Sequence, residues 1–92
     1  MTIRWTEAAA SDLESVFDFL ARGNETAALE VVLGIHSSIE QLGNFRDLGR
    51  IAGGQFPRGT RILTRPPYLI FYHVAEDTIV IDSILHGSRR HE

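Results

Sequence analysis

The residues best equipped for chemistry lie in the second half of the chain. They are His73, Asp82 and His86, with an arginine series ahead of them at Arg58, Arg61 and Arg65. Histidine beside a carboxylate can pass a proton or bind a metal. The spacing of these three is not a ligand signature, and metal sites need tight geometry. The plainer reading is therefore preferred: polar groups on a sheet face, solvated or locally hydrogen-bonded. No metal and no cofactor are expected. Arg61 and Arg65 fall on one face of a strand and could form an anion-binding stripe with Arg58. Charge of this kind also protects an edge strand from pairing with other chains. No phosphate-binding loop, dinucleotide glycine pattern, zinc module or Ser-His-Asp arrangement is present.

These groups must be positioned by a small set of elements. Ile3-Arg4-Trp5 reads as a short strand. Thr6 can cap the helix that follows, with Glu7 favourably placed in its first turn. Ala9, Leu13, Val16, Phe17 and Leu20 recur at helical spacing, and Glu7, Asp12, Glu14 and Asp18 read as solvated. Gly23 ends this helix and Asn24 can cap a second, from about Glu25 to Leu42. Its apolar face is Ala28, Val31, Val32, Ile35, Ile39 and Leu42. Gly34 inside it costs about 1 kcal/mol relative to alanine, which predicts close packing against the first helix. The two helices form an antiparallel hairpin.

Residues 45–56 read as loop, Pro57 and Gly59 as a turn, and Thr60–Thr64 as a strand. Pro66-Pro67 connects it to the strand Tyr68–Val74. A turn at Glu76-Asp77 then pairs Val74 with Ile79, Tyr72 with Ile81, Ile70 with Ser83 and Tyr68 with Leu85. Alternation puts Tyr68, Ile70, Tyr72, Val74, Ile79, Ile81 and Leu85 on a core face beneath the helices. The opposite face carries Leu69, Phe71, Val80 and Ile84 with His73, Asp82 and His86. With one layer of helices, Leu69, Phe71 and Ile84 are either an exposed patch for a partner or are covered by the 44–59 loop. The fold class is α+β: a short N-terminal strand, then a helical hairpin packed on one face of a mainly antiparallel twisted sheet, in β-α-α-β-β-β order. Residues 1–92 are read as a single domain.

Composition narrows the function. A chain of 92 residues, 43% apolar, buries roughly 60–65% of its unfolded surface and needs no staples. It has no cysteine, which excludes disulfides and thiolate metal sites. No basic segment followed by an apolar stretch opens the sequence, and no run is long enough to span a bilayer, so a cytoplasmic location with no membrane partner is expected. All nine basic residues are arginine. Residues 1–45 set two arginines against seven carboxylates, and residues 46–92 set seven against five. The molecule is polarised into an acidic helical half and a basic sheet half. The net charge of −3 argues against direct DNA binding by this chain alone.

Several segments, taken in order, carry a resemblance. They are the strand ending in Trp5, the helix Ala8–Leu13, Leu48-Gly49-Arg50, Gly59–Leu63, Tyr68–Val74 and the ending Ile84–Arg89. Together they resemble the RelE/ParE toxin superfamily over essentially the whole chain. The resemblance implies the toxin half of a bacterial type II toxin–antitoxin module. It also implies a hetero-oligomer with a cognate antitoxin, of ribbon-helix-helix type, whose tail wraps the toxin. RelE-like members cleave mRNA on the ribosome; ParE-like members inhibit DNA gyrase by binding it. Nuclease members often carry an arginine where Leu69 stands, lysines near Thr60 and Ile62, and a terminal tyrosine that has no counterpart here. Arg89 matches a nuclease arginine. This pattern is closer to the ParE branch, with no catalytic residue of its own and growth arrest by gyrase inhibition. The contact set expected for antitoxin or target is Arg58, Arg61, Arg65, Leu69, Phe71, Ile84, His86, Arg89 and Arg90, with the helices as scaffold. The alternatives are a ribosome-dependent endoribonuclease using Arg61, His86 and Arg89, and a binding module without toxicity.

Overall fold

A computed structural model describes residues 1–89. Strand β1 (Thr2–Trp5) leads into α1 (Glu7–Ala21) and α2 (Glu25–Gln41), followed by β2 (Arg50–Ile51), β3 (Arg61–Arg65), β4 (Tyr68–Ala75) and β5 (Thr78–His86). A single 3-10 turn, Gly87–Arg89, follows β5. The strands form one sheet in the order β1-β5-β4-β3-β2. Only β1 runs parallel to its neighbour; the other pairings are antiparallel. This is the expected α+β architecture with one addition. The two-residue β2 lies within the segment read as loop, too short to show a period.

Both helices start where the sequence places their caps. Thr6 Oγ1 accepts the Ala9 N–H at 3.0 Å and Asn24 Oδ1 accepts the Ala27 N–H at 3.0 Å. These bonds satisfy donors that a helix start otherwise leaves unpaired. The hairpin lies on one side of the sheet. Ala9, Ile35, Ile39 and Leu42 pack there against Leu63, Tyr68, Ile70, Tyr72, Ile79, Ile81 and Ile84. Gly34 does not serve the helix–helix contact. A Cβ there would come 2.5 Å from Nη2 of Arg65, so the glycine makes room for a guanidinium reaching up from β3.

The β4–β5 register departs from expectation halfway along. Val74 pairs with Ile79 and Tyr72 with Ile81 as predicted, but Phe71 then pairs with Ser83, Ile70 with Ile84, Leu69 with Leu85 and Tyr68 with His86. Asp82 is the extra residue of a β-bulge. Every side chain after it moves to the other face. Ile84 therefore joins the main core and Leu85 leaves it, the reverse of the sequence reading.

The bulge falls just past the end of β1, whose last pair is Trp5 with Ile81. Helix α1 completes the hydrogen bonding of β5 there. The Thr6 N–H donates to the Ile81 carbonyl at 3.2 Å. Its hydroxyl lies 2.9 Å from the same oxygen and 3.1 Å from that of Asp82. Six residues on, Asp12 Oδ2 accepts the Ile84 N–H at 2.8 Å. Asp12 is a structural acceptor and not the solvated carboxylate its place off the apolar stripe suggested. Unpaired strand groups are costly when buried, so these two side chains lock the helix onto the sheet at one register.

Candidate functional site

The expected contact set does not form one surface. Leu69 and Phe71 are 6% and 4% exposed and pack with Ile62 and Ala52 in a second, smaller core on the side of the sheet away from the helices. The 44–59 segment covers them: Phe56 stacks at a tilt on Phe71, ring centres 5.2 Å apart. Of the two outcomes the sequence left open, burial by the loop is the one observed. Ile84 lies on the helix side, and so does His86, which pairs with Tyr68 in register and meets its ring edge-on at 5.4 Å. Leu69, Phe71 and Ile84 are thus core residues, not an exposed patch.

The arginines are held by different partners. Arg61 donates to the Gly49 carbonyl at 2.7 Å and pairs with Asp47 at 3.5 Å. It acts as a strut for the loop ahead of β2. Arg65 shares its strand face but reaches α2, where its guanidinium lies over Gly34 and donates to Ser38 Oγ at 3.4 Å. Arg58 is exposed in the loop before β3. Arg50, absent from the expected set, donates to Thr64 Oγ1 at 3.0 Å. Among the described residues, neither Arg50 nor Arg65 has a carboxylate partner. They border a notch of about 580 Å3 between the end of α2 and β3, with Ser38 and Gln41. Arg50 belongs to the dense basic run 46–65, which was the available signal for it. The backbone of Arg89 lies in the final turn, and Arg90 lies outside the described residues.

His73 Nδ1 lies 2.8 Å from Oδ2 of Asp82, the residue at the bulge. It is the local hydrogen bond preferred from sequence. No group of three His, Asp or Glu residues positioned to hold a metal ion occurs among the described residues. His86 Nδ1 accepts the Ser88 N–H at 3.2 Å and lies 2.9 Å from Ser88 Oγ.

Tyr72 organises the loop side of the site and was read from sequence only as core. It is fully buried, its hydroxyl donates to the Arg46 carbonyl at 2.8 Å, and its oxygen accepts the Gly49 N–H at 2.9 Å. Burial pushes its pKa above the usual tyrosine value, with Asp47 adding to the rise; the Gly49 N–H and the Arg61 charge pull the other way. Gly49 is required by contact: a Cβ there would sit 2.7 Å from the Tyr72 ring and 2.9 Å from the Ile62 carbonyl group.

Open apolar surface lies elsewhere. Phe19, Leu29 and Leu33 are exposed on the helices, Phe45 and Leu48 along the loop leading into β2, and Ile51 within β2. Between the helices and β1 runs a groove of about 520 Å3 lined mainly by Trp5, Leu13, Phe17, Val32 and His36. Trp5 stacks on His36 at its floor, 5.9 Å between ring centres. The helical half, expected to be scaffold alone, therefore presents the larger apolar groove. No helix among the described residues is long and apolar enough to cross a membrane.

Comparison with known proteins gives a consistent picture. The family described as "ParE toxin of type II toxin-antitoxin system, parDE" matches residues 3–91. Toxin RelE2 of Caulobacter vibrioides is 28% identical over 85 residues, covering 92% of this chain and 93% of that protein. The chromosomal ParDE toxin–antitoxin system of P. aeruginosa contains a chain of TM-score 0.80 and 27% identity, with 94% of this chain and 95% of that one covered. A chain of the RelBE2 toxin–antitoxin complex of Mycobacterium tuberculosis shares the fold, with TM-score 0.61, 23% identity and coverage of 92% and 95%.

Proposed function

The chain belongs to the ParE toxin family of type II toxin–antitoxin systems, and on that premise we propose that it acts, when released from a cognate antitoxin, by binding DNA gyrase and not by cutting mRNA. The observation that carries this choice is Leu69. The resemblance puts an arginine of nuclease members there; here the residue is apolar and 6% exposed beneath the 44–59 loop. A side chain in that place cannot reach a scissile phosphate. Arg61, the strand arginine nearest to such a role, is tied to Asp47 and the Gly49 carbonyl. A binding toxin needs surface more than a poised acid and base, and the helical groove, together with the exposed Leu29 and Leu33 of α2, supplies apolar surface.

The groove also supports a place for the antitoxin. A segment of a ribbon-helix-helix antitoxin laid along the hairpin would cover Leu29 and Leu33 and bury Phe17. It is preferred to Leu69, Phe71 and Ile84, which are buried. The assembly is then a cytoplasmic hetero-oligomer whose DNA binding belongs to the antitoxin.

A second reading has one observation in its favour, the 28% identity to Toxin RelE2. It makes the chain a ribosome-dependent endoribonuclease using Arg61, His86 and Arg89. Induction in growing cells, with pulses of labelled thymidine and methionine, separates the two. The proposal expects DNA synthesis to fall first and growth to return when the antitoxin is co-expressed. An immediate stop in protein synthesis with DNA synthesis intact contradicts it. Continued growth at full expression favours a module that binds without toxicity.

A further inference from the structure

We propose that the cavity between α1 and the end of β5 binds the guanidinium of an arginine side chain presented by a partner polypeptide. The cavity holds about 230 Å3 and is lined by Asp12, Ser15, Phe19, Tyr68 and His86, with Val16, Ile84 and Leu85 completing the wall. Asp12, Ser15 and Phe19 lie on successive turns of one helix face.

The Asp12 carboxylate is fixed in place by the Ile84 N–H on Oδ2. Its other oxygen has no donor from the described residues. A planar cation can take that oxygen and donate to the Ser15 hydroxyl beside it. Phe19 is 65% exposed on an otherwise acidic helix surface. Tyr68 and His86, their rings at 83° to each other, form the far wall. The Ser88 N–H donates to Nδ1 of His86 at 3.2 Å, which fixes the orientation of the ring. A fixed carboxylate between aromatic walls suits a cation, and a stacking, flat cation more than a compact ammonium.

The surroundings favour the same sign. Helix α1 contributes Glu7, Glu14 and Asp18 and has no basic residue, and no arginine among the described residues lines the cavity. The carboxylate of a free amino acid would find no cationic partner among the described lining residues. The arginine is therefore one within a chain, whose backbone carries no charge. This site does not depend on the identity of the toxin's target.

The test is an NMR titration of the full chain, following the ring resonances of Phe19 and Tyr68. The probes are N-acetyl-arginine-N-methylamide, its citrulline and lysine counterparts, and free L-arginine. Asp12→Asn keeps an oxygen for the Ile84 N–H and removes the charge. The arginine probe should shift both rings, with binding about fivefold to tenfold weaker for citrulline and for Asp12→Asn, and weaker for lysine. If Asp12→Asn fails to fold, Phe19→Ala, at an exposed position, carries the comparison and should weaken binding about threefold or more. Equal shifts with citrulline and arginine, or unchanged affinity in a folded Asp12→Asn or Phe19→Ala variant, would overturn the proposal. Tighter binding of free L-arginine than of the blocked probe would overturn the assignment to a polypeptide.

Discussion

The Tyr72 hydroxyl donates to the carbonyl of Arg46 at 2.8 Å, joining the middle of the sheet to a loop 26 residues earlier. With the Gly49 N–H on the same oxygen, one phenol holds both ends of the segment 46–49. That segment leads into β2, and β2 leads into the loop that covers Leu69 and Phe71. A single buried polar group thus sets where the basic loop begins.

Tyr72→Phe keeps the ring and removes both bonds, leaving the Gly49 N–H without its acceptor. A loss of about 1–3 kcal/mol is expected in urea unfolding, with faster amide exchange at Gly49. Unchanged exchange there would mean that the loop is held by Arg61 alone.

Tyr72 also ties stability to high pH. Its folded pKa lies above the unfolded value of about 10 because burial disfavours the phenolate. A raised folded pKa means that the contribution is complete below the unfolded value and is lost as pH rises through the folded one. The midpoint of urea unfolding should fall above about pH 10 in the parent, and Tyr72→Phe should flatten that fall.

Two glycines respond differently to alanine. At Gly49 the added methyl meets the Tyr72 ring and the Ile62 backbone, which cannot move aside; a loss of about 2–4 kcal/mol is expected. At Gly34 it meets only the end of Arg65, a flexible side chain on the surface. The guanidinium can swing away, and the gain of about 1 kcal/mol in helix propensity leaves the variant neutral or slightly more stable. Thermal melts of the two variants make the comparison.

Leu69→Arg restores the residue type of the nuclease branch. Because Leu69 packs with Ile62 and Phe71, the change forces a charge into an apolar cluster and should cost about 2–4 kcal/mol without creating cleavage activity. A stable Leu69→Arg protein that cuts mRNA would contradict both the burial and the branch assignment.

Much of this molecule can be read from its residues. Thr6 and Asn24 mark both helix starts, since each offers an oxygen just ahead of an apolar stripe. The hairpin register holds from the turn to Tyr72 and Ile81, where alternation is unbroken. It fails at Asp82, because a bulge has no sequence signal when the residues after it, Ile84 and Leu85, are both apolar and suit either face. Gly34 marks a close approach, but the sequence does not say from which element; the answer, Arg65, is 31 positions away. The cover over Leu69 and Phe71 comes from a loop with little periodicity, held by Tyr72 and Arg61 through backbone carbonyls that no side-chain pattern records. Leu69 and Phe71 are covered rather than exposed for that reason. Once the bulge and the loop are in place, residues expected to face a partner face the protein's own chain.

The central claim is that this ParE-family toxin acts on gyrase. The most direct test adds the purified chain to a gyrase supercoiling reaction and, in parallel, to translating ribosomes with primer extension on the mRNA. The account predicts loss of supercoiling that the antitoxin reverses, with no new mRNA ends. Unimpaired supercoiling together with codon-positioned mRNA cuts would contradict it.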